Sequence, residues 1–365
     1  MAASALRRPA LVAVLLGVVG AVVATVLGFL TFGAQATVAP DHLPLAVAAP
    51  PGELRAVAER IAQQGGSAVD WRVADPADAR ELLADKEVYG VLELGPQPTI
   101  VVSGAVNPQG TQAAQQVLTG VVAAQGLAPR VETLHPASVA GRTAPLAASA
   151  LLWISGLVSA IAFAVLILRR GLRPGPVARA ALVVSVSVLA TAVVAGFFAL
   201  WDSSLPLGLD VLGFLLLTAV AFAAVQGAVL RLLKLRGAAI LGPLYLIAPA
   251  VAGQVPEMLD PAYRTLLWSW TPFRFSTEGL RSLLQGSPSA PDVRTGVLVL
   301  SALAVVGLVV MLWPRRYGSA GEEAEADLPD GIVHIGVDEA DRLPGPESEL
   351  AGHHRDGGVG REQRR

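Results

Sequence analysis

APLAASALLWISGLVSAIAFAVLIL, residues 144–168, holds no charged side chain and is closed by Arg169-Arg170. At 1.5 Å rise per residue, a helix needs about 20 apolar residues to cross a hydrocarbon core of roughly 30 Å. A helix also satisfies its own backbone groups where no water reaches. Five further uncharged stretches meet or approach that length: residues 9–34, 180–200, 211–230, 237–255 and 296–313. The reading is an α-helical polytopic membrane protein with six transmembrane helices. An extracytoplasmic α/β domain separates the first helix from the second.

Composition agrees with a bilayer. Of 365 residues, 53% are hydrophobic and 15% charged, against about 45–50% and about 25% in soluble chains. Mean hydropathy is +0.57. A net charge of −2 gives no bulk attraction to nucleic acid, so none is expected as a partner. The absence of cysteine excludes disulfides, thiolate nucleophiles, iron–sulfur clusters and Cys-ligated zinc. Lys86 and Lys234 are the only lysines, and neither completes a G-x-x-x-x-G-K-[ST] phosphate loop. No Asp, Glu, Lys, Arg or His lies inside the six stretches, where one would be costly and therefore functional. Neither an enzyme nor a bound cofactor is expected.

Flanking charge sets the topology. Arg7 and Arg8 precede the first stretch. Arg169, Arg170, Arg173 and Arg179 separate the second and third, and Arg231, Lys234 and Arg236 separate the fourth and fifth. Arg315 and Arg316 follow the sixth. No acid accompanies them, whereas the loop over residues 201–210 has Asp202 and Asp210 and no base. The positive-inside rule then puts both termini in the cytoplasm, in a multi-pass protein of the cell membrane. The first stretch also admits a signal-peptide reading, with a cleavage site near Ala34-Gln35-Ala36. Its length favours a retained helix. Its small residues, among them Ala13, Gly17, Ala21 and Gly20, Ala24, Gly28, predict close helix packing.

Residues 35–143 read as one α/β domain. Strands are expected over residues 43–48, 69–73, 88–94 and 99–102, and helices over 51–64, 77–85 and 108–125. Asp75-Pro76 marks a helix start, with Asp75 as N-cap. His42 and His135 have no local metal partners, and the scattered acids fit helix ends and solvated faces. The segment 256–295 places Trp268, Trp270, Phe273 and Phe275 beside Arg264, Arg274 and Arg281. An interfacial aromatic belt with an exposed Arg274–Glu278–Arg281 ladder is one reading. A gate or substrate contact at the outer mouth is the other. Gly242-Pro243 and Pro249 interrupt the fifth stretch, as a kink or as part of a pathway. The cytoplasmic tail, residues 317–365, is too polar to bury a core and reads as disordered. His353-His354 within it is weak as a metal motif.

One stretch, a large outer domain and then five stretches resemble the ABC-2 type permease superfamily, in its YhgE/Pip-like branch. The approach to the second stretch, Gly141-Arg142-Thr143-Ala144-Pro145, is similar to that superfamily's Gly-x-x-x-Pro pattern. Thr271-Pro272-Phe273-Arg274-Phe275-Ser276-Thr277-Glu278-Gly279-Leu280-Arg281 resembles the pattern that precedes its last span. The resemblance implies an exporter subunit, working as a homo- or heterodimer of six-helix halves and driven by a separate P-loop ATPase. Pro272, Arg274, Glu278, Gly279 and Arg281 would form the outer mouth or gate. Arg169, Arg170, Arg173, Arg231, Lys234 and Arg236 would dock the partner on the cytoplasmic side. The charge-free spans suit an apolar or amphiphilic substrate. Two features differ from the family pattern: only eight residues precede the first stretch, and Pro174 and Pro176 preclude a long coupling helix. A secretion-accessory or surface-receptor role without an ATPase is the alternative the branch allows.

Overall fold

The computed structural model of the chain describes residues 2–64, 66–286 and 288–313. Arg315, Arg316, the tail and its His353-His354 lie outside them. Among the described residues, five helical stretches are long and apolar enough to cross a membrane: Val12–Ala36, Val139–Arg170, Pro176–Trp201, Leu209–Ala252 and Pro291–Leu312. The chain is thus a helical membrane protein.

Helix α1, Ala2–Gly28, runs through a π-turn, Phe29–Gly33, into Ala34–Ala36. The α/β domain follows with β1 (Leu43–Ala48), α2 (Glu53–Gln64), β2 (Val69–Ala74), α3 (Pro76–Ala84), β3 (Val91–Glu93), β4 (Thr99–Ser103), α4 (Pro108–Ala123) and β5 (Arg130–Leu134). Five helices complete the bundle: α5 (Val139–Arg170), α6 (Pro176–Trp201), α7 (Leu209–Leu233), α8 (Ala238–Ala252) and α10 (Pro291–Leu312). A shorter helix, α9 (Pro272–Leu284), lies between the last two.

The sheet order is β2-β1-β3-β4-β5, parallel except where β4 meets β3. Period-two alternation sends Leu43, Leu45 and Val47 to the face covered by α2 and α4. Ala46, Ala48 and Val91 face α3 on the other side. Asp75 stands at the N-cap position of α3, but its carboxylate pairs with Arg55 at 3.0 Å and caps nothing. Arg80 on α3 clamps two carboxylates, Glu93 of β3 at 2.6 Å and Glu132 of β5 at 2.8 Å. These bonds hold the Arg80 guanidinium protonated well above its ordinary range and the Glu132 carboxyl below its own. Since β1 and β3 begin where β4 and β5 end, one end of the sheet receives both connections to the bundle.

In the bundle α7 is central, with α5, α6, α9 and α10 packed round it. The apolar stretch Leu209–Ala252 would be about 66 Å long as one rod, far beyond a bilayer core. It folds instead at Lys234–Gly237, a 3-10 turn entered through Lys234 at φ +55°. Gly237 lies back on Val229 and Leu230. Phe214 near the start of α7 meets Gly279 of α9, while Gly253 just past α8 meets Leu146 of α5. Both points lie at the α/β end, so α7 and α8 run antiparallel. At the opposite end Arg179 and Arg231 donate to the carbonyl of Met311, at the C-terminus of α10. That end carries the basic turns.

Candidate functional site

The site begins with a proline. Pro145 sits inside α5 and has no N–H to give to Gly141, four residues earlier. Gln285 supplies the missing donor: its Nε2 bonds the Gly141 carbonyl at 3.3 Å. Two turns further along α5, Ser149 accepts from Ser276 at 2.8 Å and Thr277 at 3.3 Å. Residues 276 to 285 therefore run antiparallel to residues 141 to 149. The N-terminus of α9 enters the bundle and its C-terminus returns to the α/β end.

The aromatic residues divide accordingly. Phe273 is fully buried, with its ring 5.2 Å from Trp153 and 5.4 Å from Phe222. Leu266 and Trp270 stay exposed, as belt residues do. Gly279 is small because the Phe214 ring occupies the space of a side chain, 2.5 Å from where a Cβ would stand. Pro272 is the first residue of α9, a position where no intrahelical N–H bond is lost.

The expected exposed charge ladder takes another form. Arg281 is 3% exposed and pairs with Glu278. Arg274 does not join them; its guanidinium stacks 4.0 Å from the Trp268 ring and 4.1 Å from that of Phe275. Its burial pulls its pKa down, with Glu278 opposing. For Glu278, burial pushes the carboxyl up, but Arg281, Lys86 and Asn107 favour the anion by more. Its pKa falls below the ordinary glutamate range.

The α/β domain closes over this helix. Asn107 gives its side-chain N–H to Glu278 at 3.3 Å and to the Gly253 carbonyl at 3.2 Å. Lys86 pairs at 2.7 Å with Asp292, which also accepts from Ser282. Tyr89 donates to Glu257 at 2.8 Å, and burial followed by that carboxylate raises the phenol pKa. Backbone N–H groups of Ala39 and Asp41 bond the carbonyls of Met258 and Glu257. A cleft of about 330 Å³ lies among Lys86, Tyr89, Trp268, Arg274, Glu278 and Asp292. A second, of about 420 Å³, opens beyond Arg281 between α5 and α8. Asn107 lines both.

The predicted outer-mouth residues thus share one short helix, and Arg274, Glu278 and Arg281 have their side chains at these clefts. Of the predicted docking residues, Arg169, Arg170, Arg173, Lys234 and Arg236 are exposed at the far end. Arg231 is half-buried, bonded to the carbonyls of Val310, Met311 and Trp313. Sequence reasoning missed Lys86, Asn107 and Asp292. Asn107-Pro108 carries a helix-start signal, and its side chain does cap α4. Its contact with Glu278, 171 residues away, leaves no trace in local pattern. Among the described residues no His/Asp/Glu group could hold a metal.

No family model, no curated protein and no solved structure matches this chain.

Proposed function

We propose that the chain is the membrane subunit of an ABC-2-like exporter, with α9 as a movable wedge at its outer mouth. The observation behind this is the Glu278–Arg281 pair: largely withdrawn from water, carried on a short helix among the apolar helices, and tied by Asn107 to the α/β domain. A buried pair on a minor element is a costly way to gain stability. It suits an element that exchanges partners. Counting α7 and α8 separately gives six crossings, with both termini cytoplasmic and residues 35–143 outside, as the basic turns opposite the domain favour. Transport draws its energy from a separate ATPase at those turns, and two such subunits pair. The apolar stretches 144–168, 180–200, 211–230, 237–255 and 296–313 carry no charged side chain, which suits an apolar or amphiphilic cargo in the cell membrane.

One observation favours a second reading. The α5–α6 connection is only residues 171–175 and the α7–α8 connection one 3-10 turn. Neither offers a coupling helix, so an accessory or receptor role without an ATPase is the alternative. Crosslinking in cells, followed by mild-detergent purification, separates them. The expected result is a P-loop ATPase crosslinked in stoichiometric amount through residues 169–179 or 234–236. Recovery of the chain alone, or with envelope components on residues 35–143, replaces export by the accessory role.

A further inference from the structure

The groove between α5 and α8 differs in chemistry from the cleft on the other side of Asn107. Its walls are apolar and shallow, made by Leu146, Ala147 and Ala150 of α5 and Pro249 of α8. Alanines at two of these positions leave the space that larger residues would fill. The groove ends at the α/β domain among Arg142, Gln109 and Arg281, with no carboxylate in its lining. Arg142 is exposed there. Arg281 is 3% exposed, and among the described residues its Nε has no hydrogen-bond partner although an Nη nitrogen holds Glu278. The Gln109 Oε1 is likewise buried and without a partner among the described residues. A buried donor without an acceptor costs free energy that an anion at this point would return.

We propose that this groove binds an anionic phospholipid of the phosphatidylglycerol kind. The phosphodiester accepts from Arg281 and Arg142, a headgroup hydroxyl donates to Gln109, and the upper part of one acyl chain lies on Leu146, Ala147, Ala150 and Pro249. Free phosphate would gain nothing from the apolar walls, and a choline headgroup would set its cation against Arg142. At about 420 Å³ the groove takes a headgroup and the start of a chain, the remainder staying in the bilayer. Treating this lipid as cargo rests on the export reading; its binding does not.

The test uses the full-length chain in phosphatidylcholine nanodiscs doped with a diazirine-bearing phosphatidylglycerol, with labelled peptides mapped by mass spectrometry. Label is expected on residues 143–150 and 249–253. Unlabelled phosphatidylglycerol should compete, whereas phosphatidylcholine and inorganic phosphate should not. Arg142→Gln and Ala147→Trp change no buried partner, so both should fold as the wild type; labelling should fall about tenfold in Arg142→Gln, the loss of one charge-assisted contact, and be lost in Ala147→Trp, whose ring fills the groove. Arg281→Gln is the stricter variant; pairing it with Glu278→Gln avoids stranding the carboxylate and should also abolish label. Label elsewhere, equal labelling by a phosphatidylcholine analogue, or undiminished labelling of the variants overturns the proposal. Competition by inorganic phosphate overturns it too, in favour of a free-anion site. Specific labelling in a chain that recruits no ATPase removes the cargo role and keeps the binding site. An ATPase partner without specific labelling keeps the export reading and removes both this binding site and the lipid's cargo role.

Discussion

Arg281 donates to Glu278 from a site where water barely reaches it, and the cost of that burial makes the pair asymmetric to mutation. Arg281→Ala leaves the carboxylate with only Asn107 and the charge of Lys86 to hold it, a loss that for a fully buried pair reaches about 3–5 kcal/mol. Adding Glu278→Gln should recover most of the loss, since the neutral amide still accepts from Asn107. Thermal unfolding of the two single variants and the double variant checks this; strictly additive losses would mean that the pair is not coupled. The carboxylate also predicts a pH response. A glutamate titrates near 4.3 when unfolded, and Glu278 lies below that in the fold. Its contribution is therefore complete above about pH 4.3 and lost as pH falls through the folded value. The stability difference between wild type and Glu278→Gln should be constant through neutral and mildly acid pH and shrink only below that point. Shrinkage beginning near neutrality would contradict the lowered pKa.

Elements were legible where composition alone forces them. Residues 144–168 and 296–313 must be helical in a bilayer, and the structure extends those helices to Val139–Arg170 and Pro291–Leu312. The extension at each start has a local cause: the Ser138 cap, which accepts from the Gly141 N–H, and Pro291 at the first helical position. Strand β5 escaped notice because it is an edge strand whose residues stay largely outside the core, paired only with β4. The inward course of α9 escaped it too, because Ser149, Ser276, Thr277 and Gln285 look like any polar positions until they are paired. Small residues in the spans announced packing but not its location. Gly17 and Gly20 of α1 face open space, whereas a Cβ on Gly307 of α10 would stand 2.7 Å from the backbone of Ala224 in α7. Gly307→Leu should destabilise the bundle by about 1–3 kcal/mol through overpacking, while Gly20→Leu should leave the melting temperature of the detergent-solubilised monomer unchanged. Equal effects of the two would refute this placement of the α7–α10 contact.

Across the whole molecule, the α/β domain reports on α9 through few bonds, and none is predictable from sequence spacing. Lys86 reaches Asp292 across 206 residues. Both side chains are mostly shielded, at 12% and 24% exposure, so their charge-assisted bond is worth about 1.5–3 kcal/mol. Lys86 is held at φ +61° at the turn after α3, a left-handed conformation that a lysine adopts at some cost. Asp292 lies in the first turn of α10, where a carboxylate is favoured by the helix dipole and also holds Ser282 of α9. Removing the lysine thus frees the domain from α10 and loosens Asp292 on α9 together, while the sheet and both chain connections stay intact. Lys86→Ala should raise hydrogen exchange over residues 104–110, 253–259 and 278–285, with β1 to β4 protected as in the wild type. Lys86→Arg, which keeps the charge, should restore most of the protection, and Asp292→Asn should imitate the alanine. If exchange rises only around residue 86, the salt bridge is local and the domain is held on the bundle by Asn107, Tyr89 and the backbone bonds of Ala39 and Asp41.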